Sequence, residues 1–168
     1  MAEKNVSGAE GVAKVRELVK DIHIAMLTTV GDDGRLYARP MGTQAAEFDG
    51  TLWFLARAES GKIENIREDA HVLVTYEQAK DGVYLSLQGQ AAILTDRATI
   101  HEHWSETAKA WFPQGEDDPA IAVIKVAVTG GEYWKSSSLG IVRLGKLALG
   151  AVLGADKADF GDTGKITL

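Results

Sequence analysis

Between Val83 and Leu94 apolar and polar residues alternate: Val83, Leu85, Leu87, Ala91 and Ile93 face one way, Tyr84, Ser86, Gln88 and Gln90 the other. A period of two is that of a strand with one buried face. Gly89 interrupts the apolar row and predicts a bulge or the close approach of another backbone. Upstream, 22–30 is a mostly apolar run rich in β-branched residues, which reads as a buried strand. Gly31-Asp32-Asp33-Gly34 then turns the chain, because Asp and Gly tolerate the positive φ of tight hairpins. The strand returns over 35–41, and Pro40, with no N–H to donate, places it at an edge or a bulge. Asp49-Gly50 leads into a strand over 51–56, a further strand covers 72–76, and Asp81-Gly82 turns into the alternating segment. A sixth strand covers 120–128, and 132–135 continues the sheet after Gly130-Gly131.

Helical spacing is confined to short pieces. Val12, Val15, Leu18 and Val19 share a face over 11–20. Ser60 is placed to cap a helix carrying Ile63 and Ile66, and Asp96 one with Ile100, Trp104 and Trp111 on one side. Residues 138–153 are rich in Leu, Val and Gly, with Arg143 and Lys146 as their charges. A membrane span needs about 20 apolar residues, so this segment reads as a helix docked on the body or on a second subunit, ended by Gly154. The polar residues after it read as an irregular tail. Hairpins separated by short helices argue against a parallel nucleotide-binding sheet and for a mainly antiparallel barrel with peripheral helices, in one domain over 1–168.

Composition narrows the chemistry. A chain of 168 residues suffices for one domain with a real core. Its formal charge of -6 makes nucleic acid an unexpected partner, and an anionic ligand would need a local positive pocket. There is no cysteine, so disulfides, thiolate metal sites and thiol catalysis are excluded. Residues 1–10 carry no apolar signal core, and a cytoplasmic location is expected. Asn5-Val6-Ser7 matches a glycosylation acceptor by chance. Gly140 to Lys146 has the spacing of a phosphate loop, but Leu147 stands where Ser or Thr would hold magnesium. Asp159-Phe160-Gly161 lacks the catalytic loop that accompanies this triplet in kinases. His101 and His103 are two apart on a helix, so they diverge and make no zinc pair. His23 reads as structural or surface. No metal site, Ser-His-Asp set or acid–base residue emerges.

Three short pieces do converge on a ligand. Arg39-Pro40-Met41 lies on one strand, Trp53-Phe54-Leu55-Ala56 on the next, and Ser60-Gly61-Lys62 opens a helix. The helix start presents backbone N–H groups and partial positive charge. Lys62 adds a full charge and Arg39 a second in forked geometry, suited to phosphate oxygens. A flat apolar and aromatic surface beside such a corner suits a planar ring carrying a phosphate. The plain alternative is that Ser60 only caps, Lys62 is solvated, and Met41, Trp53 and Phe54 are core.

The order of these pieces resembles the FMN-binding split-barrel proteins of the pyridoxamine-5'-phosphate-oxidase-like superfamily, most of all their bacterial general stress protein branch. The likeness runs over nearly the whole chain, through Thr28-Thr29-Val30, Arg39-Pro40-Met41, Trp53-Phe54-Leu55, Ser60-Gly61-Lys62, Leu85-Ser86-Leu87-Gln88-Gly89, Trp111-Phe112-Pro113 and Glu132-Tyr133-Trp134. It implies a six-stranded antiparallel split β-barrel and a homodimer with two flavins at the subunit interface. FMN is the implied cofactor, with FAD as the alternative. Arg39, Pro40 and Met41 would line the flavin, Trp53, Phe54, Leu55 and Ala56 would contact its ring and ribityl chain, and Ser60 and Lys62 would hold the 5'-phosphate. Trp134 of the second subunit, with Tyr84 and Trp111, would close the pocket. The implied activity is a flavin-dependent oxidoreductase acting on a small molecule in a stress response, with reduced nicotinamide or flavin as electron donor. The alternatives are a flavin-binding module without turnover and, behind it, pyridoxamine-phosphate oxidase. True oxidases follow the tryptophan matching Trp134 with a basic Arg-Leu-His-Asp-Arg segment. Here the matching stretch 135–144 has Arg143 as its one arginine, which argues against vitamin B6 oxidation.

Overall fold

The structure is a computed structural model that describes residues 3–43, 47–136 and 161–168. Its strands are β1 (Val6–Ser7), β2 (Ile24–Val30), β3 (Leu36–Gly42), β4 (Thr51–Arg57), β5 (His71–Gln78), β6 (Val83–Leu94), β7 (Ile121–Lys135) and β8 (Asp162–Thr167). Among the described residues three α-helices accompany them: α1 (Gly8–Val19), α2 (Gly61–Glu68) and α3 (Arg97–Glu102). The strands form an 8-stranded sheet in the order β1-β8-β7-β6-β5-β2-β3, and β4 joins off this path by pairing with β7. All strand pairs are antiparallel except β1 with β8. This is the mainly antiparallel barrel with peripheral helices that the alternation and hairpins predict and the split barrel that the resemblance implies, with eight strands among the described residues in place of six.

The difference lies at the two ends of the chain. The polar tail is not irregular: β8 pairs with the second half of β7, from Gly130↔Thr167 to Lys135↔Asp162, and β1 adds beside it. Within β8 the inward row consists of Gly164 and Ile166, with Ile166 its one large buried apolar side chain, so periodicity gave almost no signal. Gly130-Gly131 also does not end a strand, because β7 runs through it. A Cβ at Gly131 would stand 2.1 Å from the Ser86 carbonyl oxygen, so crowding by β6 requires a glycine there. Gly89 meets both of its sequence expectations. The β6–β7 register shifts between Gln88 and Gly89, and a Cβ at Gly89 would stand 2.5 Å from the Ala127 carbonyl oxygen.

The main core gathers Leu27, Phe54, Val74, Leu87, Ile124 and Val126 inside the barrel, with Val15 and Leu18 of α1 and Ile63 and Ile66 of α2 packed on it. A second cluster lies on the other face of β4 and β7, where Ile100, Phe112, Ile121 and Val123 meet half-buried Trp53, Leu55 and Trp104. Asp96 caps α3 as expected, its Oδ1 accepting from the Thr99 N–H at 2.9 Å. The helix stops at Glu102, however, because His103 leaves helical geometry (φ -101°, ψ 9°). Trp104 therefore reaches the second cluster from outside the helix, and Trp111 follows a separate 3-10 turn over Glu106–Ala110. The apolar segment 138–153 and Gly154 lie outside the described residues.

Candidate functional site

The barrel is open along one seam. Among the described residues β3 pairs only with β2 and β4 only with β7, although β3 and β4 approach each other. Pro40 sits on β3, an edge strand, as its missing N–H requires. The two strands that carry Arg39-Pro40-Met41 and Trp53-Phe54-Leu55-Ala56 thus flank the split. The helix opened by Ser60-Gly61-Lys62 begins where β4 ends.

At that helix start the cations gather. Arg39 Nη1 donates to Thr29 Oγ1 at 2.9 Å and its ring of partners includes the Tyr37 carbonyl oxygen at 3.4 Å. Asn65 Nδ2 of α2 donates to the same Thr29 oxygen at 2.9 Å. Lys62 is half-buried. Burial and then the neighbouring Arg39 charge hold its ammonium below the usual lysine range. Neither cation is in an ion pair with a carboxylate among the described residues, although the chain as a whole is acidic. The amides of Gly61 and Lys62 have no acceptor within their own helix. Ser60 occupies the N-cap position, but its side chain does not cap: Oγ donates to the Arg57 carbonyl oxygen at 2.7 Å. Among the described residues the corner is a set of donors without a negative partner, chemically ready for an anion.

The apolar candidates divide between two faces. Met41, Phe54 and Ala56 point into the main core, whereas Pro40 is exposed and Trp53 and Leu55 are half-buried on the outer face. Trp53 is stacked on His103 with ring centroids 3.9 Å apart, and Lys125 Nζ lies 5.3 Å from the Trp53 ring centroid. Tyr84 and Trp134 are cross-strand neighbours on β6 and β7. They line a groove of about 560 Å³ with Ile24, Met26, Ser86 and Glu77. Trp111 is not part of that groove. It is 73% exposed, with its carbonyl accepting from Arg57.

Sequence reading gave no site role to five contributors. Thr29 is fully buried, and Asn65 and Tyr37 join it around Arg39. Ile24 and Met26 form, with Trp134, an exposed apolar strip, and Ile24 is 55% exposed. The run 22–30 is apolar on both sides, so it read as buried on both; the outward apolar row of β2 was the available signal. Met26 lies opposite Pro40 in the β2–β3 register, so the strip continues to the rim of the split. No described helix is long and apolar enough to cross a membrane.

Comparison with known proteins agrees with this architecture. Protein bli-3 of Neurospora crassa is 30% identical over 138 residues, covering 77% of this chain and 66% of that protein. The chain therefore spans just under two thirds of that relative's length. A solved structure from Jannaschia sp. CCS1, assigned to general stress protein 26, has a TM-score of 0.72 at 24% identity, covering 96% of this chain and 100% of that one. The general stress FMN/FAD binding protein of Xanthomonas citri has a TM-score of 0.66 at 24% identity, covering 79% and 94%. At these identities the two structures speak for the fold. A family profile described as pyridoxamine 5'-phosphate oxidase like matches residues 10–158, nearly all of the split barrel, and the chain belongs to that family.

Proposed function

We propose that this chain binds a flavin, FMN in the first place, along the split between β3 and β4, and serves as an oxidoreductase for a small molecule. The observation behind this reading is the pair Arg39 and Lys62 at the start of α2, without a carboxylate partner among the described residues and beside an apolar seam. The donor set fits a phosphate monoester. Two cations and two free helix amides match its oxygens, and Ser60 can rotate its hydroxyl toward them. Pro40, Trp53 and Leu55 offer apolar surface to a ring, while Met41, Phe54 and Ala56 hold the backbones of the two strands from the core side. The FMN/FAD binding named for the Xanthomonas citri protein supports the same reading. The apolar strip of Ile24, Met26, Tyr84 and Trp134, continuous with the rim at Pro40, supports a second copy that closes the site.

When bound, the flavin supplies the hydride or electron transfer. The chain's own part is to hold the anionic tail, orient the ring against the strand edges and shield it from water. A second reading, a binding module without turnover, has one observation in its favour. The buried polar or charged side chains among the described residues are Thr29 and Asp118, and Asp118 Oδ1 accepts from the Ala120 N–H in a turn. Neither is an acid–base group at the cationic corner.

The test is an absorbance spectrum of the purified protein before and after incubation with FMN, followed by addition of NADH or NADPH. Near-visible flavin bands that bleach on reductant support the oxidoreductase, and bands that persist support the module. A colourless protein that takes up no FMN at micromolar concentration refutes both.

A further inference from the structure

We propose that Thr29 and Asn65 are positioning residues that hold the Arg39 guanidinium in place for a phosphate monoester at the start of α2. This rests on the reading of that corner as the phosphate site and adds the device that sets its geometry. Three elements meet at one hydroxyl: Thr29 Oγ1 of β2 accepts from Arg39 Nη1 of β3 and from Asn65 Nδ2 of α2, each at 2.9 Å. A threonine oxygen has two lone pairs, so both are taken and the hydroxyl is pinned. Thr29 is itself fully buried, which keeps water from competing for either bond.

The guanidinium also lies over the Tyr37 ring, with Cζ 5.5 Å from the ring centroid. The Tyr37 hydroxyl donates to Asp33 Oδ2 at 2.9 Å, which ties that ring to the β2–β3 turn. With Nη1 committed, Nη2 is the arm left for a ligand. It lies 3.9 Å from where a Cβ of Gly61 would stand, so it points at the helix start. Arginine loses much rotamer freedom when it is fixed on binding. The Thr29 anchor removes that freedom before the ligand arrives, which is preorganisation. Asn65 contributes through Thr29, because it touches the hydroxyl and not the guanidinium. It also ties α2, and with it Lys62, to the same point.

The experiment titrates the purified full chain with FMN and with riboflavin, which lacks the phosphate, and reads the ratio of the two Kd values. In Thr29→Val the preference for FMN should fall on the order of tenfold, with riboflavin affinity within about twofold of the parent. Asn65→Ala should shift the ratio in the same direction by less, and Thr29→Ser should restore it. In the double variant the two effects should be less than additive. An unchanged ratio in both single variants, with FMN preferred by the parent, overturns the inference and leaves the phosphate site standing. Equal loss of both ligands in Thr29→Val and Asn65→Ala assigns these residues to the fold alone and also overturns it. If the parent chain itself binds FMN no better than riboflavin, the phosphate reading fails, and this inference fails with it. Asn65 is only partly buried, so its variant keeps the test open should Thr29→Val not fold.

Discussion

Replacing Lys62 by methionine isolates one charge while keeping most of the length and apolar packing of the side chain. Lys62 is half-buried beside Arg39, and its ammonium is already held below the usual lysine range, first by burial and then by that arginine. Much of its desolvation has therefore occurred before a ligand binds, and a phosphate contact there is only partly screened by solvent. A hydrogen bond to a charged group contributes about 1.5–3 kcal/mol. At about 1.4 kcal/mol per decade, Lys62→Met should weaken FMN by roughly 10- to 100-fold. Riboflavin affinity should move by less than about twofold, because the contact is to the phosphate. The pH dependence carries a separate sign. Below the lowered pKa of the free protein, Lys62 is charged both before and after binding, and FMN affinity is flat on its account. An anion raises that pKa, so above the free-state value binding must take up a proton and affinity falls as pH rises. The fall begins below the ordinary lysine value of about 10.4 and should be absent in Lys62→Met. Fluorescence-quenching titrations with both ligands across alkaline pH read both effects. Equal weakening of FMN and riboflavin, or an alkaline limb that persists in the variant, refutes the assignment.

Phe54→Ala removes a ring that is 1% exposed in the main core and should cost about 3–5 kcal/mol, read as a lower urea midpoint. Gly89→Ala places a Cβ against the backbone of Ala127, which the β6–β7 ladder keeps from retreating; a loss of about 1–3 kcal/mol is expected, and an unchanged midpoint would contradict the crowding. Burial pushes the Tyr76 phenol above its ordinary range. Its contribution is intact below the unfolded tyrosine pKa of about 10 and is lost as pH rises above that value. Tyr76→Phe should therefore lose less stability than the parent on going above pH 10. On the proposal that a second copy covers the exposed apolar strip, Met26→Glu puts a charge in that contact and should shift the chain toward monomer in sedimentation or light scattering while leaving the circular dichroism unchanged; an unchanged mass would contradict the proposal.

Legibility followed the range of the interaction. The alternation of β6 and the Gly31-Asp32-Asp33-Gly34 hairpin are encoded within a dozen neighbouring positions, and the structure carries them at those positions. The β8 strand is held by long-range pairing with β7, and its own residues carry almost no apolar period. Gly130-Gly131 read as a break because a glycine pair in sequence does not distinguish a turn from a backbone crowded by a neighbour. The cationic corner was legible in part for the same reason. Ser60, Gly61 and Lys62 announce a helix start locally, and Arg39 stands out as a charge within the strand beside Pro40 and Met41. Thr29 and Asn65 lie 36 positions apart, and nothing local marks a shared hydrogen bond. Ser60 takes the N-cap position that the sequence predicts without making the cap bond, because position and bond share one sequence signal and here the Arg57 carbonyl takes the hydroxyl first.

The opening of the barrel and the chemistry at its rim have a common cause in β7. One edge of that strand is occupied by β6 through both of its halves. The other edge is divided, with β4 along 121–127 and β8 along 130–135. The barrel can close through β4 only by pairing it with β3, the last strand on the opposite side of the sheet. β3 carries Pro40, which supplies one donor fewer and is tolerated only at an edge. Its register with β2 nevertheless runs unbroken from Val30↔Leu36 to Ile24↔Gly42. The seam therefore stays open between two strands that are each firmly held on their far side. Unpaired N–H and C=O groups along such edges require another partner. The residue that keeps β3 an edge is flanked by Arg39, whose free arm reaches the start of α2, and by Met41, whose side chain anchors the strand in the core. In this chain, sheet connectivity and the geometry of the cationic corner are written in the same tripeptide, and a substitution there acts on both at once.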